Sequence, residues 1–198
     1  MPAAVEAAYL RHTPIVNEWE LRMMLGLAVY KLHPFDNAVE LGVHEGGVTV
    51  LLSHICSHMA VGVDRALQNL SSSRAAASNR IAFVGGDTCK IGTIEAVKSI
   101  VGEQIDFLLI DAGHLYVDVK RDFEVWSPLV RPGGLIAIHD IDPAHYQLDG
   151  KCEAHLFWPE VHGVQKWEFI YTNQPGSWRG PRATFGGVGV VEAPVVRV

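Results

Sequence analysis

Two aspartates and two histidines dominate the chemistry available to this chain. In the stretch 105–142, IDFLLIDAGHLYVDVKRDFEVWSPLVRPGGLIAIHDID, Asp111 follows one short apolar run and Asp140 follows another, with His114 and His139 close by. The runs at 105–110 and 135–138 read as strands buried on both faces. Between them Val119, Phe123 and Trp126 recur at helical spacing, Pro128 marks the helix end, and Arg131-Pro-Gly-Gly134 reads as a turn. Parallel strands joined by a helix lie about 4.8 Å apart, so the two acids converge at the carboxyl edge of a sheet. Two carboxylates about 4 Å apart repel by roughly 4 kcal/mol at an effective dielectric of 20. A shared proton, a basic group or a bound cation relieves this. A divalent ion on Asp111 and Asp140, with His139 as third ligand, is the most economical arrangement. The competing reading has one acid capping a helix and the other facing solvent.

Several elements must position these groups. Asn17 can cap a helix over 18–32 whose Trp19, Met23, Leu27 and Tyr30 share one side, stopped by His33-Pro34. A strand at 37–41 leads into Gly42-Val-His-Glu-Gly-Gly47 and a helix over about 48–58, a turn in which backbone can approach a ligand closely. A second strand, 60–63, ends at Asp64, about 20 residues past the first glycine, where nucleotide folds keep a ribose-binding carboxylate. A serine- and alanine-rich linker or helix spans 67–79; a third strand, 81–84, precedes Gly85-Gly-Asp87 and a helix over 89–101. Past Asp142 come a polar loop (143–150), a helix broken near Pro159 and a strand at 166–171. A loop at 172–182 and a last glycine-rich strand at 185–191 complete the chain.

Composition narrows the classes. The 198 residues fit one α/β domain, and 48% hydrophobic with 19% charged residues is a globular balance. A net charge of −6 argues against gripping nucleic acid by its phosphates. No apolar run reaches membrane-spanning length, and the N-terminus lacks signal-peptide character. Cys56, Cys89 and Cys152 are odd in number and widely spaced, which suggests free thiols in a reducing, cytoplasmic setting. His54 and His58, four apart, read as a surface or packing pair. Trp158, Trp167 and Trp178 read as packing, with Trp178 and the Arg179–Arg182 pair as loop residues that could meet a substrate.

The glycine turn departs from the dinucleotide pattern GxGxxG: His44 holds the second glycine position, and Glu40 precedes the turn where an anion would oppose pyrophosphate. Val39-Glu-Leu-Gly-Val-His-Glu-Gly-Gly-Val-Thr49 instead resembles the first motif of class I S-adenosylmethionine-dependent methyltransferases. Val61-Gly-Val-Asp64 resembles their second-strand motif, and Gly86-Asp87 their adenine-side motif. Ile110-Asp-Ala-Gly-His-Leu-Tyr116, with Trp126, Pro132-Gly-Gly134 and His139-Asp140, resembles the macrocin O-methyltransferase and cephalosporin-hydroxylase-like group and, more distantly, the catechol type.

The resemblance implies a doubly wound, Rossmann-like α/β fold with a seven-stranded sheet, mostly parallel, the last strand antiparallel. It implies an N-terminal helical cap over 1–36 and a cofactor-binding unit over 37–198, together one compact body. It also implies S-adenosylmethionine as cofactor, a divalent metal (magnesium or manganese) and methylation of a hydroxyl on a small molecule such as a sugar or natural-product intermediate. Gly42 and Gly46 would approach the methionine part with Glu40 nearby, Asp64 would hold the ribose, Asp87 and Thr88 would face the adenine, and Asp111 would border the cofactor. Asp111, His139 and Asp140 would hold the metal, with Asp142 a possible substitute from the loop, and His114 would be the general base. A histidine at 139, where the macrolide-sugar type has an acid, is less suited to magnesium, which prefers oxygen ligands, and leaves manganese or another transition ion open beside it. A small-molecule substrate, no nucleic-acid or membrane partner and an open possibility of homo-oligomers complete the expectation. A nicotinamide-dependent oxidoreductase and a non-catalytic partner-binding domain are the alternatives.

Overall fold

The computed structural model describes residues 7, 17–70, 78–144, 150–171 and 186–194. In chain order the strands are β1 (Asn37–Leu41), β2 (Met59–Asp64), β3 (Ile81–Gly85), β4 (Ile105–Ile110), β5 (Val130–His139), β6 (Lys166–Phe169) and β7 (Val188–Glu192). The helices are α1 (Glu18–Leu32), α2 (Gly47–Ser53), α3 (Ile91–Val101), α4 (Tyr116–Trp126) and the single turn α5 (Ala154–Phe157). One sheet contains all seven strands in the order β3-β2-β1-β4-β5-β7-β6. β7 runs antiparallel to both β5 and β6, and the remaining pairs are parallel. The mostly parallel sheet with an antiparallel last strand is the expected one.

Side-chain alternation along each strand divides the core into two layers. Phe107 and Leu109 of β4 pack with α1 and α2 on one face. Leu108 and Ile110 pack with α3, α4 and α5 on the other. Trp126 ends α4 fully buried and donates its indole N–H to the Thr88 carbonyl at 2.9 Å, tying the β3–α3 loop to α4. Cys56 is buried, as expected of a core thiol, and so is Trp158, whose indole N–H meets Glu168 at 2.6 Å.

The face that α1 buries is not the one that carries Met23 and Tyr30. Asn17 caps the helix as expected, accepting from the Trp19 and Glu20 amides at 2.9 and 3.2 Å. The buried stripe, however, is Glu20, Leu21, Met24, Leu25, Ala28 and Leu32, while Met23 and Tyr30 are exposed. This helix carries two apolar stripes, and its contacts with β5, β6 and β7 select the one that also brings Glu20 inside.

Other boundaries shift for local reasons. α2 ends at Ser53, whose hydroxyl bonds back to the Val50 carbonyl at 2.7 Å. His54 and His58 therefore do not share a helical face; His58 Nδ1 lies 2.8 Å from the Asn37 side-chain oxygen instead. The 131–134 turn is absorbed into β5, which pairs Val130 with Ile105, shifts register, and resumes with Leu135 opposite Phe107. The leader 1–16 (residue 7 aside), residues 71–77, the loop 145–149, Trp178, the Arg179–Arg182 pair and Phe185 lie outside the described residues.

Candidate functional site

The paired ends of β4 and β5 set the first half of the site. Ile110 stands opposite Ile138, so Asp111 and the His139-Asp140 pair leave the sheet side by side. Ligand atoms of Asp111, His139 and Asp140 all lie within 4.8 Å of one another. His139 Nδ1 is 3.1 Å from Asp111 Oδ1 and 3.2 Å from Asp140 Oδ1, so one imidazole N–H stands between the two acids. Burial by itself depresses the His139 pKa, but the two carboxylates more than reverse this and raise it to about 10. The protonated ring thus supplies the positive charge that the acid pair requires. His114 Nδ1 reaches the other Asp140 oxygen at 2.8 Å, and its side chain is 48% exposed. That hydrogen bond raises the His114 pKa against the opposing effect of burial.

Backbone geometry makes room for this cluster. Asp140 adopts a left-handed conformation (φ 63°) as the chain leaves β5. A Cβ at Gly186 would come 2.2 Å from Asp140 Oδ1 and 2.9 Å from His139 Nε2, so only glycine fits over the pair. Asp142 is buried and its Oδ1 accepts the Ala144 amide at 2.9 Å; it turns the loop rather than joining the three-residue cluster.

The second half is an open cleft along the carboxyl ends of β1, β2 and β3, walled by α4. Gly42, Asp64, Asp87 and Thr88, four of the residues expected at a cofactor, line it. Asp64 Oδ2 accepts the Val43 and His44 amides at 2.9 and 3.0 Å, and Oδ1 accepts the Ala66 amide at 2.7 Å. Partial burial pulls the Asp64 pKa up, but these three donors outweigh it and leave the carboxyl below its ordinary range. The Cys89 amide, at 3.0 Å, is the main cause of the lowered pKa of Asp87. Thr88 donates to the buried Asp122 carboxylate at 2.5 Å. Gly42 (φ 88°) is obligatory, since a Cβ there would stand 2.0 Å from the Asp111 carbonyl oxygen.

Glu40 and Gly46 are placed differently. Glu40 is buried beneath the turn and accepts the Thr49 hydroxyl; burial raises its pKa to about 8. Gly46 packs against Leu70 and Phe83 and is not among the cleft-lining residues. Several residues went unnoticed in the sequence. Arg65, Asp118, Arg121 and Asp122 also line the cleft. The spacing of Asp118, Arg121 and Asp122 on one face of α4 was a legible signal. Glu20 is fully buried, and neither its Oε2 nor the buried His139 Nε2 has a hydrogen-bond partner among the described residues. Its Oε1 accepts the Tyr171 amide at 3.2 Å. Desolvation is the main cause of its raised pKa, and His139 counts among the opposing charges.

Known structures resemble this arrangement as a fold. The O-methyltransferase TomG from Streptomyces achromogenes, involved in tomaymycin synthesis and solved with S-adenosylmethionine, is 14% identical. It superposes with a TM-score of 0.66 over 97% of this chain and 88% of its own. The MycE methyltransferase of the mycinamycin biosynthetic pathway, solved with magnesium, S-adenosylhomocysteine and mycinamycin VI, is 16% identical. Its TM-score is 0.62 over 96% of this chain and 54% of its own. Among curated proteins, the uncharacterized protein y4gI of Sinorhizobium fredii (strain NBRC 101917 / NGR234) is 30% identical over 71 residues, which is 36% of this chain and 7% of that protein. Residues 39–141, just over half of the chain, match the family model described as a methyltransferase domain, and the chain belongs to that family.

Proposed function

We propose that this protein transfers the methyl group of S-adenosylmethionine to a hydroxyl of a small molecule, a sugar or natural-product-like compound, with the help of a divalent cation. The observation that carries the reading is the junction of two features at one sheet edge. A cleft lined by Gly42, Asp64, Asp87 and Thr88 lies beside the Asp111–His139–Asp140 cluster and the half-exposed His114. The complexes of TomG and MycE, with S-adenosylmethionine in one and with magnesium and S-adenosylhomocysteine in the other, support the choice of ligands.

In this reading Asp64 accepts the ribose hydroxyls. Its three amide bonds leave about one acceptor position over, on Oδ1, because a carboxylate offers about four. Asp87 and Thr88 border the adenine, and Gly42 lets the turn backbone meet the methionine part. Gly46 shapes that turn, and Glu40 supports it from below. Asp111 borders both cofactor and cation.

The residues fit a cation. Two carboxylates and an imidazole converge, and an ion there would take the place of the His139 proton that now stands between the acids. Asp111, His139 and Asp140 would hold the ion, and this donor set suits manganese or a similar transition ion as well as magnesium. Full transfer of an alcohol proton to an ordinary imidazole costs on the order of 12 kcal/mol, and the Lewis acidity of a cation beside the hydroxyl would remove most of that. His114 takes the proton. Its Nδ1 is engaged by Asp140, so Nε2 meets the substrate. The protein otherwise contributes alignment of acceptor oxygen and methyl carbon, which is the main requirement of a direct transfer.

Calorimetry tests the reading. S-adenosylmethionine should bind the wild type, and manganese or magnesium should bind with it. Asp140→Ala should weaken metal binding and activity while leaving cofactor affinity within several-fold. Collapse of cofactor affinity with an unchanged metal response would contradict these roles.

A further inference from the structure

A second metal-capable cluster adjoins the first. His114, Asp140 and Cys152 each present one ligand atom, all within 4.8 Å of one another. Asp140 and Cys152 are buried and His114 is exposed, so the cluster opens on one side only. Cys152 is not in a disulfide. Its segment is fixed against the His114 loop by two hydrogen bonds of Glu153. The Glu153 amide donates to the His114 carbonyl at 2.7 Å, and Glu153 Oε2 accepts the Tyr116 amide at 2.9 Å.

We propose that His114, Asp140 and Cys152 form a binding site for a thiophilic divalent ion, zinc being the best matched, and that its occupation withdraws His114 from proton transfer. The chemistry of the donors selects the ion. A thiolate is a poor ligand for magnesium and a good one for zinc or cobalt. Zinc accepts imidazole nitrogen, carboxylate oxygen and thiolate sulfur alike, and its open sites combine three protein ligands with one solvent position. Bonds of about 2.0–2.3 Å place tetrahedral ligands about 3.4 Å apart, so the 2.8 Å contact of His114 with Asp140 needs to open only by roughly half an ångström. On binding, the ion forms a bond to Cys152 Sγ, and the thiol proton passes to solvent. Asp140 belongs to both clusters, with Oδ2 toward His114 and Oδ1 toward His139. The inhibitory consequence rests on the role proposed above for His114; the binding itself does not.

Cobalt(II) titration of the full chain, without S-adenosylmethionine, provides the test. A thiolate-to-cobalt charge-transfer band should appear in the near ultraviolet in the wild type and in Asp111→Asn, and should be absent from Cys152→Ala. Zinc should displace cobalt and release protons. Cys152→Ala should lower zinc affinity by at least the roughly 10- to 100-fold that loss of an outer-shell partner costs. In methyl-transfer assays zinc should inhibit the wild type, and Cys152→Ala should need at least about tenfold more zinc for the same inhibition. Cobalt binding to the wild type without a thiolate band would assign the ion to the oxygen and nitrogen donors and overturn the proposal, as would no binding at all. A thiolate band with no inhibition by zinc would leave the site standing and remove His114 as the base.

Discussion

His139 shows how one side chain settles the charge balance of the site. Its N–H stands between Asp111 and Asp140, and the field of both acids raises its pKa to about 10. The acids were legible because each follows an apolar run; the arrangement of the histidine between them was not, because it depends on side-chain torsions across two strands. His114 carries the most direct prediction. His114→Ala should lose about 10²- to 10⁴-fold in turnover, the usual contribution of a general base, with S-adenosylmethionine affinity in calorimetry unchanged. Equal turnover in the variant would dismiss it as base. Glu40 gives a stability prediction. Its folded pKa of about 8 lies above the ordinary 4.5, so the native state holds a proton that the unfolded chain has lost between those values. Stability should therefore fall as pH rises from about 4.5 to 8, by a few kcal/mol at most, and level off beyond. Glu40→Gln keeps the shape and removes the proton, so urea melts across this range should show a flatter dependence than the wild type.

At the level of elements, the βα turns do the positioning, and glycines make them possible. Gly42 lies against the β4 exit with no room for a Cβ, whereas a Cβ at Gly26 in α1 would meet none of the described residues beyond its own helix within 4 Å. Gly42→Ala should cost about 1–3 kcal/mol in denaturant melts and weaken S-adenosylmethionine binding, since the turn must move away from Asp111. Gly26→Ala should instead stabilise by about 0.5–1 kcal/mol through helix propensity, with binding unaffected. Similar losses for both would remove the distinction drawn between turn and helix glycine. Strand and helix order was legible because short apolar runs bounded by turn residues, and a period of three to four, are local signals. The inward face of α1 was not, because both of its stripes satisfy helical periodicity and only the surface of β5, β6 and β7 distinguishes them.

Across the whole molecule, the sheet brings the cleft proposed for S-adenosylmethionine and the acid pair to one edge, so ligand binding and folding should be linked. At a concentration 100 times its dissociation constant, S-adenosylmethionine should stabilise the protein by about 2.7 kcal/mol and raise the melting temperature by several degrees. A nicotinamide dinucleotide should not, because His44 replaces the second glycine of that pattern and Glu40 lies under the turn. The opposite result would favour an oxidoreductase. By itself the sequence determined the succession of strands and helices, the glycine turn, and acids at the ends of β4 and β5. Each of these follows from spacing within a few residues. Only the tertiary structure decided that Glu20 lies fully buried near His139, that Gly186 lies against Asp140 and His139, that Arg121 faces the cleft, and that Cys152 reaches His114 and Asp140. Those meetings join residues far apart in the chain, and the packing of layers and the register of strands, rather than any local pattern, bring them together.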